Sequence, residues 1–430
     1  MEKGCSFCRN NDIIAAAFRK DTDAAMKSQK VIWPEHYPEF SCIGPACSDN
    51  CCHDWPIDLD RDTYLAYQQI QDPELSTLCR QYVSKIQSGG TKAQFARILP
   101  GPQGRCPFQD KDGGCKWIRR AGPQALGMVC TLYPRRKTEF LPGTWELSLS
   151  LSCAQAVRIG VLTPDRVRFV FTEITPEIPL SQMDSVGIGP MGIVTAPPNW
   201  APALRYGILE LMGRRDLSIP CRILAILLLL DRVSKTDKDA PFLLQLVSAF
   251  VRIEPESVER AYASLHFPES AVLAAWQLPI SHILAGRPGG LPDTLRSWLP
   301  EGGLLDHQGV RRCLELVQQT GDPLLSHHCR EVENYFRNHL FSAMFPFLGS
   351  PTDFSMAAAA LAEQYALLRL LTALAAQRSE DSEEILVTAI VHLSRMIQHT
   401  DHPAELFRLG NALGLDPGAL RNCFLRRPFH

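Results

Sequence analysis

Phe40-Ser-Cys42-Ile-Gly44-Pro-Ala-Cys47-Ser-Asp-Asn-Cys51-Cys52-His53-Asp-Trp55 decides how this chain reads. Four cysteines fall within eleven residues, and Gly44-Pro45 breaks the run. Neither the helical nor the strand period fits, so the stretch is expected to be loop. Working outward, Cys106-Pro107-Phe108 follows, then Cys115 behind an Asp112-Gly113-Gly114 turn, then Cys130-x2-Tyr133-Pro134-Arg135, and finally Cys153. Fifteen cysteines occur in 430 residues, and nine of them lie between Cys42 and Cys153. Residues 1–25 carry Glu2, Asp12, Asp21 and Asp23 and no apolar core, so no secretory signal is expected. The expected compartment is the cytoplasm, where concentrated thiols point to metal ligation or redox chemistry rather than disulfides.

The eight candidate ligands are Cys42, Cys47, Cys51, Cys52, Cys106, Cys115, Cys130 and Cys153. Zinc takes four ligands in a tetrahedron, and a cubane iron–sulfur cluster is usually held by four thiolates. The spacing matches neither a zinc ribbon nor a ferredoxin run, so the choice of metal stays open on spacing alone. Adjacent Cys51 and Cys52 would face apart in a strand but can face one centre in a tight turn. Cys79, Cys221, Cys313, Cys329 and Cys423 sit in apolar helical patterns and are expected in the core. Cys5-x2-Cys8 is a lone pair without a matching partner.

The expected fold class is mainly α: an irregular cysteine-rich metal-cluster domain with few short strands, then an all-α helical domain. Residues 1–35 read as a flexible leader, with Met26 a second candidate start. Residues 36–165 form the cysteine-rich domain, 166–202 a proline-rich linker and 203–430 the helical domain. Within the first domain, Asp60 to Gln87 reads as helix and 145–151 as a strand, and 167–174 reads as a strand inside the linker. Helical patterns recur at 203–213, 219–234, 240–252, 255–265, 270–284, 309–320, 327–345, 355–378, 382–399 and 403–413. In the Ala/Leu-rich pattern 355–378, Glu363 and Arg369 are expected on a polar side. Gly187-Ile-Gly189-Pro-Met-Gly192 matches GxGxxG in letters, but the strand and helix that make a phosphate cradle are missing, so it reads as linker.

Apolar residues make up 45% of the chain and charged residues 21%, with formal net charge −2. That charge recruits neither nucleic acid nor an anionic membrane. The apolar run Cys221 to Leu230 contains Arg222 and is too short to span a bilayer. Residues 80–140 alone carry twelve Lys/Arg against three Asp/Glu. Such cations would stabilise a thiolate-bound centre, and interleaved aromatics expected of a single-strand binder are lacking.

The motifs from Phe40 to Trp55, Cys106-Pro-Phe, Asp112–Cys115, Ala125-Leu126, Cys130-x-x-Tyr-Pro-Arg and Leu147-Ser-Leu-Ser-Leu-Ser-Cys153 resemble, in order, the flagellin lysine-N-methylase (FliB) family. That family lies within a wider group of iron- or zinc-chelating cysteine-cluster proteins. Its pattern usually has proline after the last cysteine, where this chain has Ala154. The resemblance implies transfer of methyl from S-adenosylmethionine to the ε-amine of flagellin surface lysines, with a [4Fe-4S] cluster as cofactor and zinc as the alternative. Only about 0.04% of an exposed lysine is neutral at pH 7, so the site must desolvate the amine or offer it a proton acceptor. Tyr133 is the preferred candidate, with Asp54, Glu139 and Glu146 beside it. Arg135 or Arg136 offers a dock for the donor carboxylate. The reading from another class is a non-enzymatic iron- or zinc-binding redox or interaction protein.

Overall fold

A computed structural model of the chain describes residues 28–47, 49–53, 55–175, 197–236, 239–285, 290–296, 306–347, 354–398 and 423–425. The strands are β1 (Gln29–Pro34), β2 (Ile57–Leu59), β3 (Val83–Lys85), β4 (Ala96–Ile98), β5 (Arg135–Leu141), β6 (Thr144–Leu149) and β7 (Phe169–Ile174). A small sheet has the order β2-β4-β3 and a larger one the order β5-β6-β1-β7. β5 and β6 form a hairpin whose turn places Gly143 at φ +73°, a conformation open to glycine. β1 runs parallel to β6 and antiparallel to β7, with Ile32 opposite both Glu146 and Phe171.

Two boundaries differ from expectation. Gln29–Pro34 is an inner strand, not leader, because Val31 packs into the cysteine-half core with none of its surface exposed. Residues 1–27, with Cys5 and Cys8, lie outside the described residues. At the other end, Phe169–Ile174 completes the same sheet, so the proline-rich stretch begins later than 166. Residues 176–196, including Gly187 to Gly192, also lie outside the described residues.

The helices of the first half are α1 (Arg61–Gln68), α2 (Pro73–Tyr82), α3 (Lys116–Ala121), α4 (Met128–Leu132) and α5 (Ala154–Gly160). The single helix expected from Asp60 to Gln87 is therefore two helices and a strand. Asp60 caps α1 by accepting from Thr63 N at 2.9 Å. Asp72 caps α2 through the Glu74 and Leu75 amides, and Pro73 fixes its first turn. Tyr67, Phe108 and Trp117 fill the core beneath, Tyr67 stacked on Trp117 at 3.8 Å.

The second half is α-helical: α6 (Ala201–Met212), α7 (Ile219–Ser234), α8 (Ala240–Val251), α9 (Pro255–Ala263), α10 (Glu269–Ala285), α11 (Gly290–Arg296), α12 (His307–Leu316), α13 (Asp322–His327), α14 (Cys329–Ser342), α15 (Ser355–Ala375) and α16 (Ser382–Gln398). α11 had no sequence counterpart, a π-turn at Val317–Gly321 extends α12, and His328 divides α13 from α14. The pattern at 403–413 lies outside the described residues. α15 is long and apolar enough to cross a membrane, yet it is buried in the core of the helical half. Glu363 and Arg369 are buried too, against His282 and Asp322, so α15 has no polar side.

The halves share one packed boundary. Phe140, Leu151, Val157 and Val161 from the first half belong to the helical core. Asn334 on α14 accepts from Val167 N at 3.0 Å and donates to the carbonyls of Val161, Thr163 and Asp165. The Glu333 carboxylate gathers Arg166, Arg215 and Arg222 at 2.9 to 3.1 Å.

Candidate metal centre

Each cysteine of the set is placed by a short turn or a helix end. Gly44, at φ +53°, opens a single turn over Gly44–Ala46. Its amide donates to Cys42 Sγ at 3.5 Å, and Cys47 closes the turn. Asn50 Oδ1 accepts from Cys52 N at 3.1 Å, and Trp55 Nε1 donates to the Cys51 carbonyl at 2.6 Å, which fixes the adjacent pair. Cys106 N donates to Cys52 O at 2.9 Å, tying the second motif to the first. Gln109 adds a bond from Nε2 to Asn50 Oδ1. Cys115 and Cys153 stand at the N-caps of α3 and α5, and Cys130 lies within α4.

Cys51 is the hub of the set. It stands within electrostatic reach of Cys47, Cys52, Cys106, Cys130 and Cys153, and Cys106 and Cys130 also feel Cys115. Burial pushes the Cys106 and Cys153 thiols up to about 11, and raises Cys47, Cys115 and Cys130 as well. The shared hydrogen bond with Cys52, then burial, raises Cys51. Backbone amides pull the other way: Asp49 on Cys47, Phe108 on Cys106, Trp117 and Ile118 on Cys115, Gln155 and Ala156 on Cys153. Amides aimed at sulfur favour the thiolate, the form that ligates metal, and binding would release the protons. None of these cysteines is in a disulfide. Among the described residues no three His, Cys, Asp or Glu side chains stand close enough to hold one metal ion. The donor set is of thiols, the ligand type that both zinc and iron–sulfur clusters take.

Of the remaining cysteines, Cys79, Cys221, Cys313 and Cys423 are buried as expected. Cys329 is exposed, because it begins α14 at the surface-facing corner after His328.

Tyr133 lies beside the set, its ring 6.0 Å from Trp55 and its hydroxyl 3.0 Å from Ser152 Oγ, which meets Ser150 Oγ at 2.6 Å. Burial raises its pKa, so the phenol is neutral at pH 7. Glu146 is buried against Arg205, and Glu139 lies in the hairpin, accepting from Gly143 N at 2.7 Å. Neither is a free base. Asp54 lies outside the described residues. Arg135 donates to Phe40 O at 3.0 Å and covers the Phe40 ring, steadying the approach to Cys42. Arg136 is buried on the opposite face of β5.

The local surplus of cations is less than the residue count implies. Lys116, Arg119 and Arg120 are engaged by Glu74, Asp110, Asp112 and Asp72. Residues that spacing did not single out include Trp55, which pins Cys51, and Ser150 and Ser152. The alternating serines of Leu147 to Ser152 carried the signal, since hydroxyls in a buried strand need partners. Asp49 was also missed: it pairs with Arg395 of α16 at 3.0 Å and joins the cysteine loop to the helical half.

A mainly helical chain with free thiols gathered around one cysteine, in loops braced by a helical half, defines a thiol-centred class. Comparison with known proteins narrows it. The family described as FliB lysine N-methylase C-terminal domain matches residues 205–408, the half for which no motif was legible. The flagellar biosynthetic protein FliU of Salmonella muenchen is 31% identical over 141 residues, 33% of this chain and 82% of that protein. Lysine-N-methylases of Salmonella typhimurium and Salmonella choleraesuis are each 30% identical over 141 residues, covering 34% of their length. No solved structure matches. The chain belongs to the FliB lysine N-methylase family.

Proposed function

We propose that this protein is a cytoplasmic methyltransferase that moves methyl from S-adenosylmethionine to the ε-amines of surface lysines on flagellin, with a [4Fe-4S] cluster as resident cofactor. The observation that carries this reading is the gathering of thiols around Cys51 in a chain related to lysine-N-methylases. Cys47, Cys51, Cys106, Cys115, Cys130 and Cys153 are the first choices among the eight candidate ligands, because amides or neighbouring thiols address each of them. Four of them would hold the cluster, which would tie the loops into one unit and supply a centre of negative charge; zinc is the alternative occupant.

The chain's own residues set up the transfer. A lysine entering a buried site loses its proton to water as desolvation lowers its pKa. The neutral nitrogen attacks the sulfonium methyl, the carbon–sulfur bond breaks, and its electron pair stays on sulfur. The products are a methylammonium and a neutral thioether, so this step needs no base. Tyr133, held neutral and bonded to Ser152, orients the amine through a hydrogen bond. The test is the intact mass of flagellin co-expressed with this protein, with increments of one methyl group expected. An unchanged mass with metal still bound would favour a non-catalytic metal-binding protein.

A further inference from the structure

α16 lies along the cysteine half by one face. Glu384 and Arg395 are eleven residues apart, about three helical turns, so they share that face at roughly 16 Å along its axis. Glu384 pairs with Arg158 of α5, the helix that Cys153 begins. Arg395 donates from a terminal nitrogen to Asp49 Oδ1 at 3.0 Å, in the loop between Cys47 and Cys51. One helix of the other half is thus fastened near both ends to cysteine-bearing segments. His392, one turn before Arg395, stands within electrostatic reach of the same Asp49 and of Arg395. Burial lowers its pKa from 6.5 to about 4, so it is neutral at pH 7 and adds no charge there.

Arg395 is placed for more than a tie between halves. Among the described residues Asp49 is the one hydrogen-bond partner of its guanidinium, and its charge reaches Cys51, the hub of the thiols, and Tyr133 beside them. Both side chains of the pair are about two-fifths open to water, and such a pair adds little to the stability of a fold. Arg119 stands near Cys115 in the same way, but Asp110 and Asp112 already engage it. Thiols bind metal as thiolates, and four of them leave either a zinc ion or an iron–sulfur core with a net negative charge. The Asp49 carboxylate adds to that charge, and Arg395 offsets it. Groups just outside the ligands of a metal site commonly set how firmly the metal is held.

We propose that Arg395 is the counter-charge that the helical half supplies to the loaded metal centre, a positioning residue held at the Cys47–Cys51 loop by its bond to Asp49. This rests on reading the cysteine set as a metal site and holds for either metal. Asp49 acts as the holder, so its acceptor oxygen matters and its charge does not. The coupling runs both ways: a filled centre holds α16 in place, and a docked α16 helps retain the metal.

The test uses the full-length protein, purified without oxygen in its metal-loaded form, and follows the metal released to a chelator. Arg395→Met should retain metal about tenfold to a hundredfold less well than the wild type, the usual cost of losing a partner just outside the ligands. Arg395→Lys keeps the charge and should retain metal nearly as well as the wild type. Asp49→Asn keeps an acceptor oxygen for Arg395, removes the carboxylate charge and should hold metal at least as firmly as the wild type. A tie between the halves would instead weaken the variants of both partners alike. Equal retention by Arg395→Met and the wild type overturns the proposal and leaves the metal-centre reading standing. So does an Asp49→Asn protein that falls with Arg395→Met, or an Arg395→Lys protein that loses metal as readily. A wild type that carries no metal removes that reading, and the counter-charge with it.

Discussion

His36 sits beneath α5, where a side chain at Gly160 would meet its ring at 2.6 Å. Burial lowers its pKa from 6.5 to about 4. The folded protein then binds fewer protons there than the unfolded chain between those values. The contribution to stability is complete above pH 6.5 and is lost as pH falls toward 4. Urea titrations should show the wild type losing about 2–3 kcal/mol more than His36→Phe between pH 7 and pH 4.5. Parallel losses in both proteins would mean the ring ionises freely. Glu146 makes the complementary case in the boundary layer. Its side chain is buried with that of Arg205, so Glu146→Gln leaves the Arg205 guanidinium buried without a carboxylate. Unfolding should show a cost of about 3–5 kcal/mol. The double variant Glu146→Gln/Arg205→Met should cost less than the two single changes added together. Strict additivity would mean the pair is not coupled.

At the scale of elements, the π-turn Val317–Gly321 lies against α15 so closely that a Cβ at Gly321 would come within 2.4 Å of the Arg369 carbonyl oxygen. Backbone cannot swing aside as a side chain can. Gly321→Ala should cost about 1–3 kcal/mol, read as a lowered urea midpoint at unchanged slope; an unchanged midpoint would show that the turn relaxes. Much of the helical half was legible in the sequence, because apolar periodicity is a local signal and the helices are long. The break between α1 and α2 was legible in principle, as Asp72-Pro73 is a cap followed by a first-turn proline. β1 was not. Gln29–Pro34 is short, and what makes it a strand is pairing with β6 and β7, far along the chain. The cysteines were readable as loop residues, but their convergence on Cys51 depends on ties such as Cys106 N to Cys52 O that no local pattern encodes. Arg136 was singled out in the sequence as a candidate dock for the donor carboxylate, but its burial was not legible, since sequence does not show which face of β5 meets the helical half.

For the molecule as a whole, metal content is the decisive measurement. Protein purified without oxygen should be brown and carry iron and sulfide in stoichiometric amounts. Single Cys→Ser changes at 51, 106, 130 and 153 should lose iron most, and Cys42→Ser least, because Cys42, unlike the equally exposed Cys130, is not among the thiols around Cys51. Colourless protein with one tightly held zinc would sink the iron–sulfur reading, and equal tolerance at all positions would make the thiols mere packing. The place of β1 has a consequence for synthesis. The strand emerges from the ribosome early, yet its two neighbours are β6 and β7, the latter ending at Ile174. Until that residue is made, the first four cysteines wait on an open chain, with neither the sheet nor the Cys153 turn to gather them. Long-range pairing of this kind is slow. A metal at this site would then be delivered after translation has passed this point, with the nascent thiols kept reduced until it is.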